Sequence, residues 1–372
     1  MTAKSACYLD HNATAPLRWE AADALSAAAL LVGNPSSVHG FGRTARRMLE
    51  DARAAVAAIA GTAAETVVFT SGGTEANNLA LRGCGRRRVL ASAVEHPSIL
   101  EARDGIETVP VHDGGTVDLD ALARMLDESE EPALVSVMFA NNETGIVQPV
   151  ADAARLARER GALVHCDAVQ AAGRMPIDMA ALGADMLTLS AHKMGGPKGA
   201  GALLVAESVH LDAIIRGGGQ ERGRRSGTEN VPGIAGFGAV AGNVGRDLDA
   251  APAIARLRDS LEAKVSAEIP GARIIGGGSP RIPNTSCLAL PGVSADTQVM
   301  ALDLEGIAVS AGSACSSGKV RPSHVLRAMG LPDEIAGCAI RVSLGPESSD
   351  KDIDRFVAAW RNVAARAGRN AA

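Results

Sequence analysis

Short apolar runs alternate with segments of helical period through the middle of the chain. Between positions 67 and 206 the runs are five to seven residues long and rich in β-branched residues, as expected of buried strands. They read VVFTS, RVLAS, LVSVMFA, LVHCDA, MLTLS and GALLVA. Segments between them, such as VADAARLARERG, repeat apolar residues at helical spacing. The alternation predicts an α/β fold whose large sheet is mixed and mainly parallel.

The two ends of the chain do not follow this alternation of short apolar runs and helical segments. Before the first run, RTARRMLEDARAAVAAIAG has helical spacing and predicts a helix that begins near Arg43. After about position 250, a helix that could link two domains is followed by short strands (ARIIGG, TSCLAL, AIRVSLG) mixed with helices. This part predicts a smaller α+β domain.

Composition narrows the possible functions. The chain has 372 residues, 47% hydrophobic and 2% aromatic, with a net charge of -5 and charges of both signs well mixed. No basic face or aromatic platform suggests nucleic acid or an anionic membrane. The first residues lack the apolar core of a signal peptide, and no run is long enough to span a membrane, so we expect a cytoplasmic protein.

Six cysteines, at positions 7, 84, 166, 287, 315 and 338, are scattered along the chain. They form no C-x-x-C pair and have no histidine at zinc-finger spacing, which argues against both a metal site and a disulfide framework. Most are expected to be buried thiols. Cys315 is the exception, because it lies among Ser, Gly and Lys residues that no core would accept, and a thiol beside Lys319 and Arg321 ionises readily. An incidental surface cysteine is the alternative.

Two polar residues follow apolar strands where ligands commonly bind. Asp167 ends LVHCD, with Gln170 shortly after it, and Lys193 follows MLTLS. A partly desolvated lysine suits a Schiff base, and a carboxylate there suits a protonated ring nitrogen. The turn and helix of FTSGGTEANNLAL direct free N–H groups at an anion. Pyridoxal 5'-phosphate uses all three features. Each feature also has a simpler explanation when taken alone: Asp167 as a helix cap, Lys193 as a surface lysine and FTSGGTEANNLAL as an ordinary turn before a helix.

Three further residues extend this hypothesis. His96 follows the strand RVLAS, where an imidazole can stack on a flat cofactor or move protons. Asn142 follows LVSVMFA and can reach a ligand. Arg341 lies inside the apolar strand AIRVSLG, where either a substrate carboxylate or a structural ion pair would balance its charge. The alternative for His96 is a core histidine, and the alternative for Asn142 is a turn residue without a ligand.

Taken in order, these stretches resemble the cysteine desulfurases, pyridoxal-phosphate enzymes of the class V aminotransferase fold, and specifically the branch with a long catalytic-cysteine loop. The motifs that carry the resemblance are YLDHNATAP, GNPSSVHGFG, FTSGGTEANN, EHPS, NNETG, HCDAVQ, SAHKMGGPKGAGAL, RRSGTEN, SAGSACSSGKVRPSHVLRAMG and IRVSLG. Each motif is weak alone, but their order and spacing are specific. His11 and Ala15 depart from the pattern, which expects asparagine and often threonine there.

The resemblance implies the type I fold of pyridoxal-phosphate transferases. A large cofactor-binding domain would span residues 15–250, and a small domain, built from residues 1–14 and 251–372, would carry the cysteine loop. The implied reaction converts L-cysteine to L-alanine and transfers sulfur as a persulfide to an acceptor, such as an iron-sulfur scaffold protein. The enzyme would be a homodimer.

The resemblance also implies a role for each site residue. Lys193 would form the Schiff base, Asp167 would pair with the ring nitrogen and Cys315 would accept the sulfur. The other implied roles are ring stacking for His96, a contact to the phenolic oxygen for Gln170, phosphate binding for Gly73, Thr74, Ser190 and His192, phosphate binding from the partner subunit for Thr228, and substrate binding for Asn142 and Arg341.

Other functions on the same fold stay open at this point. A selenocysteine lyase would use the same residues, whereas an aminotransferase would have no use for Cys315. A non-catalytic scaffold would have no need to retain Lys193, Asp167 and Arg341 together.

Overall fold

The computed structural model describes residues 7–312 and 322–371. Its strands are, in chain order, β1 (Cys7–Tyr8), β2 (Val67–Thr70), β3 (Arg88–Ser92), β4 (Ile106–Val109), β5 (Ala133–Ser136), β6 (Leu163–Asp167), β7 (Met186–Ser190), β8 (Gly201–Val205), β9 (Arg273–Ile275), β10 (Thr285–Ala289), β11 (Ile307–Ala308), β12 (Ser310–Ala311) and β13 (Ala339–Ser343). Its helices are α1 (Trp19–Ala29), α2 (Gly40–Ile59), α3 (Gly73–Gly83), α4 (Pro97–Leu100), α5 (Leu119–Asp127), α6 (Val150–Arg158), α7 (Val231–Ala241), α8 (Val244–Glu268), α9 (Ala295–Leu304), α10 (His324–Ala328), α11 (Asp333–Ala336) and α12 (Asp350–Ala371).

A seven-stranded sheet in the order β2-β8-β7-β6-β5-β3-β4 forms the centre of the large part of the molecule. The strands from β7 to β4 run parallel, while β8 is antiparallel to both of its neighbours. Each of the six apolar runs contains a strand of this sheet, which confirms the mixed, mainly parallel α/β fold. The strand β4 was not predicted, because IETV is short and only its last residue is buried.

Helices cover both faces of this sheet and pack closely where small residues meet. On one face α7 lies against α1 and α2, and a Cβ added to Gly238 of α7 would lie 2.6 Å from the Cβ of Ala52 on α2. The predicted start of α2 near Arg43 is wrong by three residues. The helix begins at Gly40, because the His39 side chain accepts a hydrogen bond from the Gly42 amide and caps it.

The smaller sheet, β12-β13-β10-β9, is antiparallel and is built from the last third of the chain. The amino-terminal strand β1 pairs in parallel with β11, so the two ends of the chain pack together. Their shared core includes the fully buried Phe356 and Trp360 of α12. The helix α8 runs through position 250, so the proposed boundary lies within a continuous helix. Among the described helices, none is both long enough and apolar enough for a membrane span.

Candidate active site

Ten of the twelve predicted site residues line one cavity of about 350 Å³ at the carboxyl ends of the parallel strands. The strands β6 and β7 run parallel, with Asp167 opposite Thr188, so Asp167 and the residues after Ser190 emerge at one edge of the sheet. The ten residues are Gly73, Thr74, His96, Asn142, Asp167, Gln170, Ser190, His192, Lys193 and Arg341. Thr228 lines a neighbouring cavity instead, and Cys315 lies outside the described residues.

Lys193 lies one short helical turn after β7. Its half-buried ammonium group donates hydrogen bonds to the carbonyl oxygens of Asn12, at 2.5 Å, and Ala13, at 2.9 Å. The amino-terminal segment therefore forms one wall of the cavity and holds the lysine amine at its mouth.

Asp167 is buried at the floor of the cavity and accepts two hydrogen bonds. One oxygen accepts from the Asn77 side-chain amide at 2.8 Å, and the other accepts from the backbone N–H of Val169 at 3.0 Å. Both donors fix the orientation of the carboxyl group, which is the type of group that can pair with a protonated ring nitrogen. The sequence analysis missed Asn77, although its position one turn into the helix of FTSGGTEANN signals a side chain near the anion site.

The first turn of α3 provides an anion site beside Lys193. Its N-cap residue, Gly72, makes no side-chain cap, so backbone N–H groups there stay available. A Cβ at Gly201 would lie 2.6 Å from the Cα of Gly72, so only glycine lets β8 approach this turn. The buried hydroxyl of Ser190 has no hydrogen-bond partner among the described residues. An unpaired hydroxyl beside free amides fits a phosphate group.

Two histidines of the site are held in the neutral form. Burial, followed by the charges of Lys193 and Lys198, lowers the pKa of His192 to about 4. Its Nδ1 lies 3.2 Å from the hydroxyl of Thr14. Burial also lowers the pKa of His96, against the opposing charge of Asp167. A cation therefore does not form at either ring at neutral pH.

Gln170 lies next to Asp167 with both ends of its amide hydrogen-bonded. Its Nε2 donates to the carbonyl oxygen of Asn12 at 3.1 Å, and its oxygen accepts from Arg174. Burial lowers the pKa of the Arg174 guanidinium to about 10, and the nearby charge of Arg341 acts in the same direction. The side chain of Gln170 is thus fixed in place by the chain itself.

Arg341 has the structural ion pair that was one of its two alternatives. Its Nη2 donates to Asp10 at 2.7 Å, and its Nη1 donates to the carbonyl oxygen of Asn142 at 3.0 Å. Its Nε is buried without a hydrogen-bond partner in the described part of the chain. Arg341 still lines the cavity, so its positive charge lies beside any ligand bound there.

The five cysteines in the described ranges are all buried free thiols, as expected. Burial raises the pKa of Cys7 to about 12 and raises the pKa values of Cys84, Cys166 and Cys287 as well. None of these four thiols forms an appreciable amount of thiolate at neutral pH.

The unusual His11 is accommodated by a glycine on the small sheet's side of the site. Its ring packs edge-on against Tyr8, with centroids 5.1 Å apart, and burial lowers its pKa to about 4. A Cβ at Gly345 would lie 2.0 Å from a ring carbon of His11. The histidine ring is thus buried between Tyr8 and Gly345, while its backbone oxygen accepts a hydrogen bond from Arg174.

Comparison with known proteins agrees with this geometry. Residues 7–356 match the family model described as aminotransferase class-V. A cysteine desulfurase of Cereibacter sphaeroides is 46% identical over 366 residues, which cover 94% of this chain and 93% of the relative. A cysteine desulfurase of Sinorhizobium fredii is 43% identical, covering 94% of each chain. A NifS-like protein structure from Rickettsia africae superposes with a TM-score of 0.88 at 35% identity, covering 96% of this chain and 99% of the other.

The chain therefore belongs to the class V aminotransferase family and, within it, to the cysteine desulfurases.

Proposed function

We propose that the protein is a pyridoxal-phosphate-dependent cysteine desulfurase. It converts L-cysteine to L-alanine and passes the sulfur, as a persulfide on Cys315, to an acceptor protein such as an iron-sulfur cluster scaffold. The observation that carries this proposal is the convergence in one cavity of an amine, a carboxylate and a helix amino terminus, contributed by Lys193, Asp167 and the first turn of α3.

The residues of the cavity fit the cofactor at both of its ends. The amides of the first turn of α3 and the Ser190 hydroxyl, which has no partner among the described residues, suit the phosphate, and the Asp167 carboxyl group suits the ring nitrogen. Lys193 supplies the amine for the covalent link. When bound, the cofactor supplies an electron sink for the α-carbon of the substrate.

The chain's own residues would bind the substrate and move its protons. Arg341 and Asn142, which both line the cavity, would orient the substrate carboxylate. The amine of Lys193, when it is not covalently linked, would take and return the proton of the α-carbon.

Sulfur transfer requires a thiolate, which Cys315 is proposed to provide. The thiolate attacks the substrate sulfur, so an S–S bond forms while the C–S bond breaks. The electron pair of the broken bond stays on the carbon, which takes up a proton to give alanine. The burial and raised pKa values of Cys7, Cys84 and Cys166 support Cys315 as the carrier, because those thiols are poor nucleophiles.

We also propose a homodimer in which Thr228 completes the phosphate site of the partner subunit. Thr228 is exposed and lines a cavity next to Ser71 and Arg225, outside the cavity of its own Lys193. A second copy of the chain packed over this loop would place the Thr228 hydroxyl at the phosphate site of that second copy.

The variant Cys315→Ala tests the sulfur half of this proposal. It should keep the absorbance of the bound cofactor and still bind cysteine, while alanine production falls by at least three orders of magnitude. In the wild type treated with cysteine and no reductant, mass spectrometry should find one added sulfur atom on the peptide that contains Cys315. Cys338→Ala, at a buried thiol, is the matched control and should keep full activity. A persulfide on another cysteine, or full activity in Cys315→Ala, would disprove the assignment.

A further inference from the structure

Four polar side chains form one continuous row of hydrogen bonds along the wall of the cavity. The Asn77 amide nitrogen donates to Asp167 at 2.8 Å and to the hydroxyl of Ser98 at 2.8 Å. The Ser98 hydroxyl lies 2.8 Å from Nδ1 of His96. The row thus joins the carboxylate proposed for the ring nitrogen to the imidazole proposed to stack on the ring.

The chemistry of the groups fixes the direction of each bond. A carboxylate can only accept, so the Asn77 group that faces Asp167 must be its NH₂, and the second proton of that NH₂ goes to Ser98. The single hydroxyl proton of Ser98 is then donated onward to Nδ1 of His96. The backbone N–H of Ser98 also points at Nδ1, at 3.1 Å, and a backbone amide can only donate. Two donors therefore converge on Nδ1, which cannot carry a proton itself.

We propose that Asn77 and Ser98 are positioning residues that hold His96 as a neutral imidazole with its proton on Nε2. Any proton that His96 exchanges with reacting atoms then moves at Nε2 alone. Among the described residues, Nε2 has no hydrogen-bond partner, and His96 lines the cavity. The inference rests on the proposed function, since it takes His96 as the imidazole beside the cofactor.

The charges around His96 favour the same form. Burial is the main cause of its lowered pKa, and the charges of Lys193 and His324 lower it further. The carboxylates of Asp167 and Glu101 oppose them without reversing the direction. A neutral ring avoids placing a third positive charge beside the lysine amine and a protonated cofactor nitrogen.

Nitrogen NMR of the holoenzyme labelled with ¹⁵N-histidine tests the proposal directly. His96 signals are assigned by their loss in His96→Gln. These signals should show Nε2 protonated and Nδ1 without a proton from pH 7 to pH 9. Ser98→Ala removes one of the two donors and should raise the pH midpoint of His96 by about 0.5 to 1. Ser98→Thr keeps a hydroxyl and should restore the wild-type midpoint. The row is equally broken at its other end by Asn77→Leu, which should also raise the midpoint.

A second histidine serves as control within the same spectra. Nδ1 of His39 also accepts from a backbone amide at a helix start, at 3.3 Å from Gly42, but no hydroxyl bridges it to a carboxylate. Its midpoint should be the same in all of these variants.

A protonated Nδ1 on His96, or a midpoint unchanged in Ser98→Ala, would overturn the inference. Either result would leave the proposed desulfurase function standing, because that function does not depend on which nitrogen of His96 carries the proton. Conversely, full activity in His96→Gln would remove His96 from the proposed function while leaving the tautomer measurement valid. The two failures are therefore distinguishable.

Discussion

At the scale of single residues, Glu143 is a carboxyl group enclosed where the amide-rich turn after β5 meets α10. Its side chain is 3% exposed, and one oxygen accepts the Ser323 hydroxyl at 2.5 Å. A Cβ on Gly312 would lie 2.5 Å from that same oxygen, so glycine is required there. Burial raises the pKa of Glu143 to about 7, although the Ser323 hydroxyl and Arg341 both act to lower it. The group therefore changes charge near neutral pH.

Glu143 should make the folded state less stable as the pH rises. Between its unfolded pKa of 4.5 and its folded value of about 7, the folded protein holds a proton that the unfolded chain has lost. The free energy of unfolding should thus fall by on the order of 3 kcal/mol across this range. Glu143→Gln cannot ionise at this position and should not show this decrease in the free energy of unfolding. Urea titrations from pH 5 to pH 8 should therefore show that the stability difference between the variant and the wild type changes with pH.

Glu107→Gln is the control for this experiment. Arg88 lowers the pKa of the half-exposed Glu107 carboxyl, which is therefore ionised throughout the range. The difference in free energy of unfolding between Glu107→Gln and the wild type should therefore be the same at every pH in this range. A pH-independent difference for Glu143→Gln as well would contradict the prediction.

Sequence patterns predict residues that follow buried strands better than residues buried by tertiary packing. Asp167 and Lys193 follow strands of one parallel sheet, so their meeting at one edge could be predicted. Glu143 and Asn77 lie in a turn and inside a helix, where their types suggest only a cap or a solvated face. Their environments depend on Ser323 and Asp167, which are far away in the chain.

At the scale of elements, α2 holds the loop that follows β8 in a strained backbone conformation. Glu221 and Arg222 are consecutive non-glycine residues with φ of 47° and 58°, a region that costs about 1 to 2 kcal/mol per residue. Arg53 of α2 pairs with Glu221 through two bonds of 2.7 and 2.9 Å, and Phe69 of β2 donates its amide to the same carboxylate. The ion pair thus fixes the loop against the strand that leads into the anion site.

Arg53→Ala should destabilise the protein by about 3 to 5 kcal/mol, because it leaves Glu221 buried without its partner. Cofactor affinity should fall with it, since the same loop carries Thr228. Thermal denaturation and cofactor titration measure the two effects. Arg155→Ala removes an exposed arginine of α6 that pairs with Glu159, the residue directly after that helix, and should change stability by about 0.5 kcal/mol or less. Equal losses of stability in the two variants would show that the buried ion pair stabilises the protein no more than the exposed one.

The elements themselves differ in how much of them the sequence could specify. Central strands such as β6 and β7 are buried almost throughout and appear in the sequence as short, mainly apolar runs that also contain a few polar residues. The predicted strand LVSVMFA continues to position 140, but β5 ends at Ser136. The remaining residues are buried outside the strand, with the backbone N–H of Phe139 donating to the backbone carbonyl oxygen of Asp167, so apolar character alone overestimates the strand.

At the scale of the whole molecule, large apolar side chains are exposed around the start of α1 and the segment that joins α1 to α2. Their exposed fractions range from 68% to 88%, and they are Trp19, Leu30, Val32, Val38 and Phe41. Several large exposed apolar side chains within so short a stretch of sequence are typical of an interface. We assign this surface to the proposed homodimer.

Val38→Asp should therefore convert the dimer to a monomer in sedimentation velocity, and the monomer should lose cofactor, because Thr228 no longer reaches the partner's site. Folding should be unaffected, since Val38 is 88% exposed. Leu304→Asp, at an equally exposed apolar position of 85% on α9, is the control and should stay dimeric. A dimeric Val38→Asp, or a monomer that retains its cofactor, would contradict this assignment.

The close fit of His11 against Gly345 also couples two positions that are far apart in the sequence. With the ring in its observed rotamer, any other residue at position 345 would put its Cβ 2.0 Å from a ring carbon. Residue 345 can therefore change only if the side chain at position 11 moves or changes with it. Substitutions at the two positions should accordingly have non-additive effects on the free energy of unfolding.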